Sequence, residues 1–180
     1  MTEIKISLTD VALQVLPKVG VDPSDYGPAY DGESVGLDLY NMGQDIQIPG
    51  RNKWTAFEEP PLLIPTGVRV CLPKGTVGLI KERGSITKTG LIARAGVIDP
   101  GYTGEIFINL VNIGERVTNI PTGCKLPVQL IVLQCHQKFS TVDYSEYLRL
   151  TDKSLRNTGS VGSSDANQAP VNSSGGEESQ

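Results

Sequence analysis

Histidine is almost absent from this chain: His136 is the single example among 180 residues. No partner nearby makes it half of a nucleophile pair or one of a metal-ligand set, so it reads as a structural or surface residue. Cysteine is scarce too. Cys71, Cys124 and Cys135 have no CxxC spacing and lie in or beside apolar runs, which predicts buried free thiols in a reducing compartment. No apolar run approaches the ~20 residues that span a bilayer, and no basic stretch followed by an apolar one opens the chain. A soluble, cytoplasmic protein without membrane attachment is expected, in the host cytoplasm if the source is viral. An excess of basic residues is also missing. The formal net charge of −4 argues against a general nucleic-acid binder, while leaving room for a small anionic ligand held by a few local cations and a metal. Finally, no long stretch repeats apolar residues at helical spacing.

What the chain does contain is many short β-rich runs punctuated by glycine and proline. They predict an all-β sandwich or barrel. Strands are expected at Ile4–Leu8, Val35–Met42, Asp45–Ile48, Gly67–Leu72, Thr76–Lys81, within Glu115–Gly123, and at Lys125–Gln134. Asp10–Val15 reads as a short helical turn or irregular segment. Pro127 suggests an edge or a bulge in the last strand. Asp38, alternating with Leu37 and Leu39, taken by itself reads as a solvent-facing carboxylate. Trp54 and Phe57, in a charged loop over residues 49–61, read as caps on the core. The segment from Arg156 onward is rich in Ser, Gly and Asn and nearly free of bulky apolar groups. It predicts a flexible arm and tail over 156–180, following one β domain over 1–155.

The stretch from Glu82 to Asn112 organises the rest. Gly90–Asp99 and Tyr102–Asn112 read as the two strands of one hairpin joined by Pro100-Gly101, a strong turn signal. Asp99 then stands last before the turn and Tyr102 first after it. Upstream, Arg83-Gly84-Ser85 offers a guanidinium, a flexible backbone and a hydroxyl, groups suited to phosphate oxygens.

Five segments in order resemble the trimeric dUTPase family, from about Ala29 to Ser164. They are GESVGLDLYN with Asp38, ERGSIT, AGVIDPGYTGEI, GCKLPVQLIV and RNTGSVGSS. PTGVRVCLPKG between the first two has the family's look as well. There are three departures. Gly84 separates Arg83 from Ser85, where the family has serine directly after arginine. Gln129 lies one residue further from Gly123 than usual. Val161 replaces an aromatic that stacks on uracil, which would weaken arm closure by ~1 kcal/mol. The related dCTP deaminases use a glutamate where this chain has Asn109, and an amide cannot shuttle that proton.

The resemblance implies a distorted jelly-roll or β-barrel-like sandwich and hydrolysis of dUTP to dUMP and pyrophosphate. That reaction limits uracil incorporation into DNA and supplies dUMP for dTTP synthesis. It implies Asp99 as the group that orients and deprotonates water and also bonds the 3′-hydroxyl. Tyr102 lies under the sugar, and backbone groups of Ala95, Gly96, Val97 and Ile98 pair with uracil. Arg83, Gly84 and Ser85 grip the α- and β-phosphates with Gln129 assisting. Arg156, Gly159, Gly162, Ser163 and Ser164 cover the γ end. Mg²⁺ is held by phosphates and waters, with Asp38 receiving those waters. Each site is assembled from the subunits of a homotrimer. The competing expectation is a binding or regulatory module that keeps the fold without catalysis.

Overall fold

The computed structural model describes residues 3–30, 32–51 and 62–152. The chain forms two compact units, residues 1–137 and 138–180, so the break in packing precedes the compositional change at Arg156. Trp54 and Phe57, and the arm residues Arg156, Gly159, Val161, Gly162, Ser163 and Ser164, lie outside the described residues.

In the first unit, one strand dominates. β11 (Lys125–Gln134) alternates Leu126, Val128 and Leu130 into the core with Lys125, Pro127 and Gln129 outward. It pairs antiparallel on one side with β2 (Leu37–Tyr40) and on the other with β6 (Thr76–Glu82), and β8 (Val97–Ile98) closes the far edge of β6. Pro127 is therefore in a central strand and not at an edge. The bulge is there: the β2 register jumps from Lys125↔Tyr40 to Gln129↔Asp38. Proline has no N–H for the ladder, but its carbonyl still accepts from Arg83 N–H at 2.9 Å.

Three smaller antiparallel sheets complete the unit. They are β1 (Lys5–Leu8) with β5 (Val68–Cys71), β3 (Ile46–Ile48) with β10 (Thr118–Ile120), and β4 (Leu63–Pro65)–β9 (Phe107–Asn112)–β7 (Leu91–Arg94). The all-β expectation holds, but the four sheets do not close into a barrel. Their inward faces share a core of Leu39, Ile64, Val68, Ile106, Leu110 and Leu126, with Ile48, Ile108 and Val128 beside them. Each fully buried side chain of this size contributes about 1.5–3 kcal/mol relative to exposure. Asp10–Val15 is a helix, α1. Thr9 caps it by accepting Ala12 N–H at 3.3 Å, and Ala12 packs with Leu16, Tyr40 and Met42.

The single central hairpin is corrected. β7 pairs with β9 from Leu91↔Asn112 to Arg94↔Asn109, but the chain then leaves that sheet. Ala95 (φ 61°) and Gly96 (φ 112°) are both left-handed, and Gly96 C=O accepts from Ile80 N–H at 2.7 Å. Two such residues in succession swing Val97–Ile98 onto β6 instead. A positive φ at alanine is uncommon and gives no compositional warning.

The thiols are corrected too. All three are free, but Cys71 is exposed and Cys124 and Cys135 are half-buried. Cys71 occupies an outward position of β5, where strand alternation overrides its apolar neighbours.

The described part of the second unit contains one helix, α2 (Tyr144–Thr151). Asp143 caps it by accepting Glu146 N–H at 2.9 Å, and none of its residues is buried. Among the described residues no helix is long and apolar enough to cross a membrane.

Candidate active site

The first half of the site gathers on β2, β6 and β11. Asp38 is buried, not solvent-facing, because two cations cover it. Arg83 Nε lies 2.7 Å from Oδ1 and Lys125 Nζ 2.8 Å from Oδ2. Arg83 follows the last residue of β6, and Lys125 opens β11 opposite Tyr40. The ammonium also sits over the Tyr40 ring, 5.4 Å from its centroid. Burial alone would lower the Lys125 pKa, but its contacts with Asp38 and Tyr40 outweigh that and hold it above the ordinary lysine value. Tyr26 packs on Tyr40 with ring centroids 6.1 Å apart, and its hydroxyl donates to the Asp38 carbonyl at 2.5 Å. Burial, with Tyr40 and Asp38 nearby, pushes that phenol well above its usual pKa and keeps it neutral.

Gln129 stands between Asp38 and Lys81 in the sheet register. Its amide lies against Gly36, where a Cβ would come within 2.6 Å of Gln129 Cδ. Gly84 and Ser85 open an exposed 3-10 turn, Gly84–Lys88, directly after Arg83. A Cβ at Gly84 would meet nothing within 4 Å, so packing does not require glycine there.

The second half is the turn. Tyr102 N–H donates to Asp99 C=O at 3.0 Å, closing residues 99–102 as read from Pro100-Gly101. The Asp99 carboxylate is exposed. Tyr102 is 42% exposed, donates its hydroxyl to Glu105 C=O at 2.6 Å, and lies over Gly104, where a Cβ would be 2.8 Å from Tyr102 Cζ. Its ring helps line a groove of about 340 Å³ with β1, β5 and Pro100. A larger cleft of about 660 Å³, between Lys88–Gly90 and the 112–119 segment, holds none of the predicted residues. β8 uses one edge for β6, while its other edge carries no ladder among the described strands. The expectation that Ala95–Ile98 backbone groups meet a base is thereby narrowed: Gly96 C=O is already engaged by Ile80 N–H.

One chain does not bring the two halves together. β6 pairs with β8 through Gly78↔Ile98 and Leu79↔Val97, so continuing that register sets Asp99 level with Val77. Arg83 lies six residues further along the same strand direction. At about 3.3 Å per residue the separation is roughly 20 Å. Asp38, Arg83 and Gln129 therefore cluster at one end of β6 and Asp99 and Tyr102 at the other, with residues 96–98 alongside Gly78–Ile80 between them.

A resident magnesium does not fit the Asp38 cluster. Both carboxylate oxygens already face cations, and no group of three or more His, Cys, Asp or Glu among the described residues could hold a metal ion. Sequence reasoning missed Lys125, Tyr26 and Tyr40. Lys125 stands within the fourth motif, but nothing local marks its partner. Asn109 donates to Leu62 C=O at 2.9 Å, and its Oδ1 is buried without a partner among the described residues. His136 packs over Gly75, as a structural residue would.

The first four motifs stand in order along one strand-built unit. The dUTPase family model matches residues 28–164, and the chain belongs to the dUTPase family. A deoxyuridine 5′-triphosphate nucleotidohydrolase of Nocardia farcinica is 35% identical over 159 residues, covering 85% of this chain and 87% of that protein. The Pol polyprotein of equine infectious anemia virus (strain Wyoming) is 34% identical over 128 residues; the match covers 71% of this chain but only 10% of the polyprotein. Among solved structures, the native EIAV dUTPase matches with a TM-score of 0.56 at 27% identity, covering 79% of this chain and 98% of that one. A mutant dUTPase of Staphylococcus bacteriophage 80alpha matches in fold with a TM-score of 0.63 at 20% identity, over 91% and 99% of the two chains.

Proposed function

We propose that the chain hydrolyses dUTP to dUMP and pyrophosphate, at sites shared between the copies of a homotrimer. The observation that carries this reading is the split of the site along β6. One end holds cations, the other a carboxylate beside an aromatic ring, and about 20 Å separates them. Only a second copy, docked so that its turn faces the first copy's cations, places acid and cations around one nucleotide.

In that arrangement the exposed Asp99 carboxylate accepts a proton from a water aimed at the α-phosphorus. Positioning supplies most of the effect, since an ordinary carboxylate is a weak base. Tyr102 lies flat against the sugar, leaving no room for a 2′-hydroxyl, and the free edge of β8 pairs with uracil. Arg83, the Gly84–Ser85 turn and Gln129 hold the phosphates, and the 156–164 arm, with Arg156, Gly159, Ser163 and Ser164, covers the γ end. Mg²⁺ arrives as part of the substrate, chelated by the triphosphate, where it supplies charge neutralisation.

Pyrophosphate release from dUTP, UTP, dCTP and dTTP tests the specificity, and turnover of UTP, dCTP or dTTP comparable to that of dUTP overturns it. Sharing is tested by mixing two inactive variants, Asp99→Asn and Arg83→Ala, under conditions that exchange subunits. A site drawing the two residues from different copies recovers about a quarter of wild-type activity. No recovery overturns the shared site.

A further inference from the structure

We propose that Lys125 is a second phosphate-binding cation, and that Asp38 is the shared anion holding Lys125 and Arg83 side by side for a nucleotide's phosphates. This rests on the nucleotide reading above and extends it to residues outside the expected site.

The layering of the trio points this way. The Asp38 side chain is 8% exposed, whereas those of Arg83 and Lys125 are 27% and 39% exposed. One anion lies beneath two cations, so the group carries an excess positive charge on its open side. Arg83 faces Asp38 through Nε, and among the described residues its terminal fork has no hydrogen-bond partner, which suits it to a second, bidentate one. Lys125 contacts Asp38 through a single Nζ that carries three N–H donors. A triad serving stability alone gains little from two half-open cations, because pairs of that exposure are worth only a fraction of a fully buried one.

The support beneath comes from β2, β11 and Tyr26. The bulge at Pro127 puts both Lys125 and Gln129 opposite residues of β2, one facing Tyr40 and the other Asp38. The Lys125 ammonium lies over the Tyr40 ring, Tyr26 braces Tyr40, and the Tyr26 hydroxyl fixes the backbone of Asp38. Tyr26 precedes the segment matched by the family model. Asp38 so placed is a positioning residue: it orients two donors and contacts no metal water.

Titration calorimetry tests this with non-hydrolysable α,β-imido-dUTP and with deoxyuridine, with and without Mg²⁺, over a range of salt. Lys125→Met removes the ammonium and keeps an unbranched apolar side chain. The analogue should bind about tenfold more weakly without Mg²⁺ and with a shallower salt dependence, deoxyuridine should bind as before, and Lys125→Arg should restore affinity. Asp38→Asn should weaken the analogue with its Mg²⁺ requirement unchanged, and adding Lys125→Met should cost little more. Unaltered binding by Lys125→Met, or an Asp38→Asn defect confined to the Mg²⁺ requirement, overturns the proposal while leaving dUTP as substrate. If Lys125→Met does not fold, a folded Lys125→Arg with near wild-type affinity supports the proposal and one with lost affinity overturns it. Wild-type protein that ignores the analogue removes the nucleotide reading itself.

Discussion

Asn41 is fully buried at the end of β2, and its replacement gives a sharp test of how the site's strands are joined. Its Nδ2 donates to three carbonyls, Gln44 at 2.9 Å, Ile120 at 3.1 Å and Pro121 at 3.2 Å, while Oδ1 accepts Gly43 N–H at 2.9 Å. Its backbone meanwhile bonds Cys124 C=O at 2.9 Å and accepts Gly123 N–H at 2.7 Å. The residue thus ties the strand of Asp38 to the start of the strand of Lys125. In Asn41→Ala, Gly43 N–H and at least one buried carbonyl lose their partners at about 1–3 kcal/mol each, and a small cavity adds to this. The expected loss is about 3–4 kcal/mol, a large share of a typical domain's 5–15. Asn41→Asp keeps the acceptor but aims a carboxylate at three carbonyls. That environment raises the acid's folded pKa above its unfolded value near 3.9, so the destabilisation is full at neutral pH and is relieved as pH falls and the group becomes a donor. Urea unfolding at pH 7 and pH 4.5, at one protein concentration, measures both effects. An Asn41→Ala penalty below about 1 kcal/mol, or an Asn41→Asp penalty independent of pH, refutes the reasoning.

Gly36→Ala should leave the melting temperature nearly unchanged, because only the flexible end of Gln129 must move aside. The KM for dUTP should nevertheless rise, and steady-state kinetics decide. Gly96→Ala forces a side chain onto φ 112° with its Cβ 3.0 Å from Ile80 Cβ; a loss of about 1–3 kcal/mol in chemical denaturation, with weakened deoxyuridine binding, is expected. Asp99→Asn should keep fold and analogue affinity, since the carboxylate is exposed, while kcat falls by about 10²–10⁴. Asp45 accepts Thr122 N–H at 2.8 Å, and these Thr122 contacts hold its pKa below the usual carboxylate value. Its contribution to stability is present above the unfolded pKa near 3.9 and is lost as pH falls through the lower folded value. The fall in melting temperature between pH 5 and pH 2 should therefore be shallower in Asp45→Asn, and an identical acid limb would exclude this role.

Local chemistry explains what the sequence could and could not show. The alternation of Leu126, Val128 and Leu130, the proline in that run, and the Pro100-Gly101 turn are features of a few adjacent residues, and each appears in the structure where expected. The burial of Asp38 depends on Arg83 and Lys125, which arrive from the end of β6 and the start of β11 and leave no mark beside Leu37 and Leu39. The hairpin departs from its local signal for a related reason. Ala95 accepts a left-handed conformation because Ile80, on another strand, captures the Gly96 carbonyl that follows it. That one long-range bond also sets the β6–β8 register, and the register separates Asp99 from Arg83 along β6. Motif order therefore names the candidate groups, while the pairing of β8 with β6 sets Asp99 and Arg83 toward opposite ends of one strand.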